Sequence, residues 1–190
     1  MSKITIGIQG DIGSTNERAC NFFAQKYGWK DFEIKYLIST EKVLSGLEKN
    51  EINCGTFAWE SSNGGLVHET QEAIKKYNYK KIDEEKFKLD HAILKNSKID
   101  KSKIVQIYSH PQALKEHKPF LIKEFQNLEL IEETDTAISA KKLQNNEYPS
   151  NSLIIAPISC ADIYDLEIYL SDLLTNQGYF TTIYLVQKTL

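Results

Sequence analysis

Ser109, His110 and Gln112 bring a hydroxyl, an imidazole and an amide together in the stretch Ile107-Tyr108-Ser109-His110-Pro111-Gln112-Ala113-Leu114. The preceding Lys103-Ile104-Val105-Gln106-Ile107 is short, β-branched and apolar at alternate positions, which predicts a strand. Ser109 can cap a helix, Pro111 suits its first turn, and Ala113-Leu114-Lys115-Glu116 continues it. The polar groups then sit at the carboxyl end of a strand, where open α/β sheets bind ligands. The local sequence also admits a plainer reading, in which Ser109 is a cap alone and His110 a surface residue.

A second polar turn lies near the start. Gln9-Gly10-Asp11-Ile12-Gly13-Ser14-Thr15-Asn16-Glu17 is a glycine-bearing loop running into a helix, with Ser14 or Thr15 as N-cap and Glu17 placed to complete a capping box from Ser14. Its G-x-x-G spacing lacks the third glycine of a dinucleotide loop and the lysine of a P-loop, so it is a weak nucleotide signal. Cys20, Cys54 and Cys160 are far apart and odd in number, as small core residues would be. His68, His91, His110 and His117 are scattered with no H-E-x-x-H spacing, so no metal and no cofactor is expected. Arg18 is the only arginine in the chain, which leaves little capacity for bidentate recognition of carboxylates.

Periodicity supplies the scaffold around these groups. Ile4 to Ile8, Phe32 to Ile38 and Glu51 to Phe57 read as strands, and helices are expected from Thr15, from Thr40 and over 66–77. The order βαβαβα predicts parallel strands with crossover helices. Between β and α, Ala58-Trp59-Glu60-Ser61-Ser62-Asn63-Gly64-Gly65 reads as a polar loop. Lys86 to Leu94 alternates like one long strand crossing between lobes. A second round comes next: strands ending at Ile107, at Ile131 and at Ala156, with helices over 111–126, 134–143 and 157–164. Tyr179 to Val186 alternates as a final strand returning to the first lobe. The expectation is a single domain of two α/β lobes, the first about residues 1–80 plus 178–190 and the second about 95–170.

With 190 residues and 41% hydrophobic residues, the chain can bury a sizeable core. A net charge of −3, with lysines alternating with acids, offers no basic field to nucleic acid. No apolar run approaches the roughly 20 residues of a membrane span, and no signal-peptide core precedes the first strand, so a cytoplasmic protein with no membrane partner is expected.

With these elements placed, the chain resembles the catalytic domain of the prephenate dehydratase family almost end to end. Gly10-Asp11-Ile12-Gly13-Ser14 looks like the family's G-P-x-G-[ST] turn, and Ala58-Trp59-Glu60-Ser61-Ser62 stands in the place of P-I-E-N-S. Asp90-His91-Ala92-Ile93-Leu94 is similar to its H-x-L-L strand, and Tyr108 to Leu114 is close to its most specific segment letter for letter. Asp135-Thr136-Ala137 falls on S-T-A, and Phe180-Thr181-Thr182-Ile183 on F-T-R-F.

The resemblance implies two α/β lobes like those of type 2 periplasmic binding proteins, with the ligand in the cleft between them. It implies conversion of prephenate to phenylpyruvate, with loss of water and carbon dioxide, in phenylalanine biosynthesis. Thr181 takes the catalytic place, serving the departing hydroxyl, and Ser14, Glu60, Ser61, Ser62, Ser109, His110, Gln112, Thr136 and Thr182 are the substrate-binding candidates. Thr182 occupies the position of the motif arginine, so a neutral hydroxyl replaces a fork worth roughly 1.5–3 kcal/mol per charged hydrogen bond. Asp135 brings a negative charge unless it caps the following helix. The family's regulatory domain is not recognisable in the chain. The expected partner is a small anionic metabolite, prephenate or an analogue, and a homodimer is usual for the family. Two further readings use the same scaffold: a prephenate decarboxylase that leaves the ring non-aromatic, and a non-catalytic binding protein with Trp59 against an aromatic ligand, against which stands simple packing of Trp59.

Overall fold

The computed structural model describes residues 3–96, 99, 103–125, 127–171, 173 and 178–189. The chain divides into two compact units, Met1–Lys88 with Tyr179–Leu190, and Leu89–Gly178.

The first unit is built on a sheet in the order β2-β1-β3-β11-β5, from strands β1 (Ile4–Ile8), β2 (Phe32–Tyr36), β3 (Cys54–Ser61), β5 (Tyr79–Lys88) and β11 (Phe180–Lys188), with the short β4 (Gly65–Leu66) beside β3. β1, β2 and β3 are parallel, as the βαβ order predicts, whereas β11 runs antiparallel to both β3 and β5. Alternation of side chains sends successive residues to opposite faces. Ile6, Ile8, Cys54, Ile183 and Leu185 meet helix α1 (Thr15–Lys26) through Ala19, Cys20 and Phe23. On the other face Phe57 and Val186 pack on Val43, Leu44 and Leu47 of α2 (Thr40–Glu48) and on Ala73 of α3 (His68–Ala73). Gly55 is needed for that approach: a Cβ there would stand 2.4 Å from Val43 Cγ1.

The second unit holds the sheet β10-β6-β9-β7-β8, from β6 (His91–Lys95), β7 (Gln106–Ser109), β8 (Glu129–Glu132), β9 (Ser152–Pro157) and β10 (Glu167–Leu170). Ile93, Ile107, Leu153 and Ile155 face α4 (Pro111–Glu124) through Ala113, Leu114 and Leu121. Ala92, Leu94, Ile154 and Ala156 face α5 (Thr136–Gln144) and the four-residue α6 (Cys160–Ile163). The three cysteines are buried in the two cores, as their scatter suggests.

Several expected elements differ. The supposed loop at 58–65 is largely strand: β3 continues through Ser61 because β11 and β4 both pair with it, and the turn is confined to 62–64. The helix expected over 66–77 is cut to His68–Ala73, since Leu66 is drawn into β4. Lys86 to Leu94 is not one strand; alternation runs on through Leu89 and Asp90, but β5 and β6 belong to different sheets, which local patterning does not record. The strand before Ser109 begins at Gln106, and the helix after Pro111 is described to Glu124, Gln126 lying outside the described residues. β10 carries no clear alternation in Glu167-Ile168-Tyr169-Leu170 and was not expected.

Candidate functional site

In the first unit the candidate residues converge where β3, β11 and β5 run side by side. Thr181 is opposite Ser61 on β3 and Phe87 on β5, and Thr182 is opposite Glu60 and Lys86. Residues directly opposite share a face. Ser61, Thr181 and Phe87 therefore form one row, and Glu60, Thr182 and Lys86 form another on the reverse face.

The Thr181 row lies on the α1 side, since Phe87 packs against the cluster containing Ala19 and Phe23. Thr181 is 8% exposed and Ser61 4%. The Ser61 hydroxyl is buried with no hydrogen-bond partner among the described residues. Arg18 of α1 reaches the same row. Its Nη2 donates to the Lys88 carbonyl at 2.7 Å and its guanidinium carbon stands 5.9 Å from the centre of the Phe87 ring. Lys88 is the cross-strand partner of Phe180, so the single arginine sits one register step from Thr181.

The Thr182 row is different in kind. The Thr182 hydroxyl donates to Glu60 Oε1 at 3.4 Å, and Lys86 Nζ lies 4.3 Å from the Phe180 ring centre. Trp59, on this side, stacks on Tyr184 at 4.9 Å with 10° between planes, the packing role of the two open to it. Ser62 is spent on the hairpin end, its hydroxyl accepting from the Phe180 N–H at 2.9 Å. Lys188, the last residue of β11, donates to the Glu48 carbonyl at 2.8 Å and to Asn50 Oδ1 at 3.1 Å, at the far end of the strand.

Ser14 caps α1, its hydroxyl accepting from the Glu17 N–H at 3.3 Å. The expected capping box is modified: Glu17 Oε2 accepts from Gly13 N–H at 2.7 Å in place of the Ser14 N–H, which donates to the Asp11 carbonyl. Gly10 and Gly13 take φ of 117° and 89°, values open to glycine at no steric cost. Behind the loop, the buried Gln9 amide ties three elements, accepting from Ala58 N–H at 2.7 Å and donating to Glu69 Oε2 at 2.8 Å. Burial raises the Glu69 carboxyl above its ordinary range.

In the second unit Ser109 is not the cap. It is fully buried and its hydroxyl donates to the Ile155 carbonyl at 2.7 Å, tying β7 to β9. The cap is His110, whose Nδ1 accepts from the Gln112 N–H at 3.2 Å. Burial pushes that imidazole down to about 4, so the ring is neutral and its lone pair serves the turn. Gln112 Nε2 donates to Glu116 Oε1 at 3.3 Å. Thr136 opens α5 behind Asp135, and Asp135 Oδ1 accepts from Ala137 N–H at 2.9 Å and Ile138 N–H at 3.0 Å, which is the capping role.

Sequence reasoning left open whether Lys188, Arg18 or another cation stands in for the motif arginine; Lys188 lies at the far end of β11, whereas Arg18 reaches Phe87, the cross-strand partner of Thr181. Sequence reasoning missed the donor cluster of His91, Glu116 and His117, because His91 comes from a strand far in sequence from the adjacent Glu116-His117 pair.

The sequence profile of the prephenate dehydratase family matches residues 6–189. A bifunctional chorismate mutase/prephenate dehydratase of Buchnera aphidicola (subspecies Schizaphis graminum) is 26% identical over 179 residues, covering 94% of this chain and 46% of that protein. The chain thus spans about half the length of that curated relative. Among solved structures, prephenate dehydratase from Arthrobacter aurescens, in complex with L-Phe, superposes with a TM-score of 0.78 at 21% identity, over 98% of this chain and 61% of that one. A periplasmic substrate-binding protein of an ABC transporter from Coxiella burnetii gives 0.53 at 13% identity, over 95% and 84%, a likeness of fold. The profile match covers nearly the whole chain, and the chain belongs to the prephenate dehydratase family.

Proposed function

We propose that the protein is a lyase that converts prephenate to phenylpyruvate, with Thr181 at the leaving hydroxyl and Arg18 in the charge role of the missing motif arginine. The observation that carries this reading is the row of Thr181 and the unpartnered, buried Ser61 hydroxyl, with the Arg18 guanidinium beside it. In the reaction the bond from the ring to its carboxylate breaks, and its electron pair flows into the ring. The ring hydroxyl departs at the opposite carbon, taking up a proton to leave as water. A positioned hydroxyl that donates to this oxygen lowers the barrier as charge builds there. Ser61 supplies a second donor to the substrate.

Arg18 is assigned to the side-chain keto-acid carboxylate, which persists through the reaction. A fork on the departing carboxylate would stabilise the ground state and lose its partner as carbon dioxide forms, which slows the step. Glu60 and Thr182, on the reverse face, are binding candidates of lower weight, and so is Ser14, whose hydroxyl serves the cap. In the second unit the half-buried Gln112 and Thr136 are the better binding candidates, because Ser109 and His110 are committed to backbone groups. A cytoplasmic homodimer completes the proposal; light scattering of the purified chain tests the dimer. Among the described residues no helix is long and apolar enough to cross a membrane.

Proton and carbon NMR of the products from prephenate tests the reaction. Phenylpyruvate supports it. A non-aromatic product that keeps the ring hydroxyl after loss of carbon dioxide would establish the decarboxylase reading instead, and tight binding without turnover the non-catalytic one.

A further inference from the structure

β6 opens with His91, and α4 carries Glu116 and His117. One donor atom from each of the three lies within 4.8 Å of the others. His117 is fully buried, Glu116 is 5% exposed and His91 half-buried. His91 Nδ1 and His117 Nε2 face each other at 3.0 Å across a separation of 26 residues in sequence. Two imidazole nitrogens bound to tetrahedral zinc at about 2.0–2.1 Å stand about 3.3 Å apart. The pair is thus within a few tenths of an ångström of a ligand pair.

Two facing ring nitrogens need one proton between them, and a metal needs two lone pairs. With His91 Nδ1 as the donor of the pair, His117 Nε2 already presents its lone pair, and metal binding moves only the His91 proton to the other nitrogen of that half-buried ring. Glu116 adds a carboxylate whose Oε1 is oriented by the Gln112 amide at 3.3 Å, as outer groups orient metal ligands. Two imidazoles and one carboxylate suit zinc and neighbouring transition metals, whereas magnesium and calcium require mostly oxygen.

We propose that His91, Glu116 and His117 form a binding site for one divalent transition-metal ion of the zinc class, tying β6 to α4 in the second unit, with the fourth position left to water or a small ligand. All three residues belong to the second unit, and the proposal does not rest on the proposed reaction.

The test uses the full chain after chelator treatment and dialysis, titrated with cobalt(II) and then zinc(II). One cobalt per chain, with visible absorption of tetrahedral intensity that zinc displaces and a raised thermal midpoint, is the expected result; magnesium leaves both readouts unchanged. His91→Gln, at the half-buried ligand, and Glu116→Gln, which keeps the size of the side chain, each lower the zinc affinity at least tenfold, with circular dichroism confirming the fold. Absence of the cobalt bands in the unaltered chain, or stoichiometric binding that persists undiminished in both variants, would overturn the site.

Discussion

Thr182 and Glu60 face each other across β11 and β3, the Thr182 hydroxyl donating to Glu60 Oε1 at 3.4 Å. The position of the motif arginine therefore points away from Thr181 and toward an acid, with Lys86 opposite on β5. A long, neutral-to-anionic hydrogen bond of this kind contributes at most about 1 kcal/mol. Thr182→Val should lower the unfolding free energy in urea by no more than that amount and change kcat/KM for prephenate less than about threefold, since the proposed charge resides on Arg18.

Arg18→Ala removes that charge and the contact with the Phe87 ring. Loss of one charge-assisted hydrogen bond of roughly 1.5–3 kcal/mol corresponds to a loss of about 10- to 150-fold in kcat/KM, carried mainly by KM if the keto-acid carboxylate is held equally before and during the reaction. Arg18→Lys should recover only part of it, because an ammonium lacks the planar fork. Steady-state kinetics on the two variants checks both statements.

Asp135 caps α5 through two backbone N–H groups. Asp135→Ala should cost about 0.5–2 kcal/mol in denaturant unfolding, and Asp135→Ser only a few tenths, because serine caps nearly as well. If the Asp135 charge does not face the substrate, Asp135→Ser leaves KM unchanged within error.

Legibility in the sequence differs by level. Strands such as Ile4–Ile8 and the helix from Thr15 follow from local alternation and capping residues, and the S-H-P-Q turn follows from Pro111. The role of Ser109 does not, because a serine before a helix looks like a cap whether or not a neighbouring strand takes its hydroxyl; Ile155 does so here, and His110 caps in its stead. Likewise Ala58 to Ser61 reads as a polar loop until β11, more than a hundred residues later, pairs with it. Arg18 can be singled out by composition, but its placement beside Phe87 depends on the β11–β5 register and on the face that α1 covers.

Burial of His110 sets a pH dependence. Its folded-state value is about 4 against an unfolded value near 6.5, so the unfolded chain binds the extra proton first as pH falls. The stability associated with the neutral ring is present above about pH 6.5 and is lost as pH drops toward 4, with a slope of at most about 1.4 kcal/mol per pH unit for one proton. His110→Asn keeps a good cap and should remove this ring's share of the slope across that window, leaving the share of His117, which burial pushes down to about 3, as followed by urea titration at successive pH values.

Thr181 carries the proposed chemistry most directly. Phenylpyruvate formation from prephenate at neutral pH should proceed well above the spontaneous rate with the unaltered chain, and Thr181→Val, which keeps the side chain's shape in a site 8% exposed, should lose about a hundredfold in kcat. No phenylpyruvate above the spontaneous rate, or a Thr181→Val variant as fast as the unaltered chain, would contradict it.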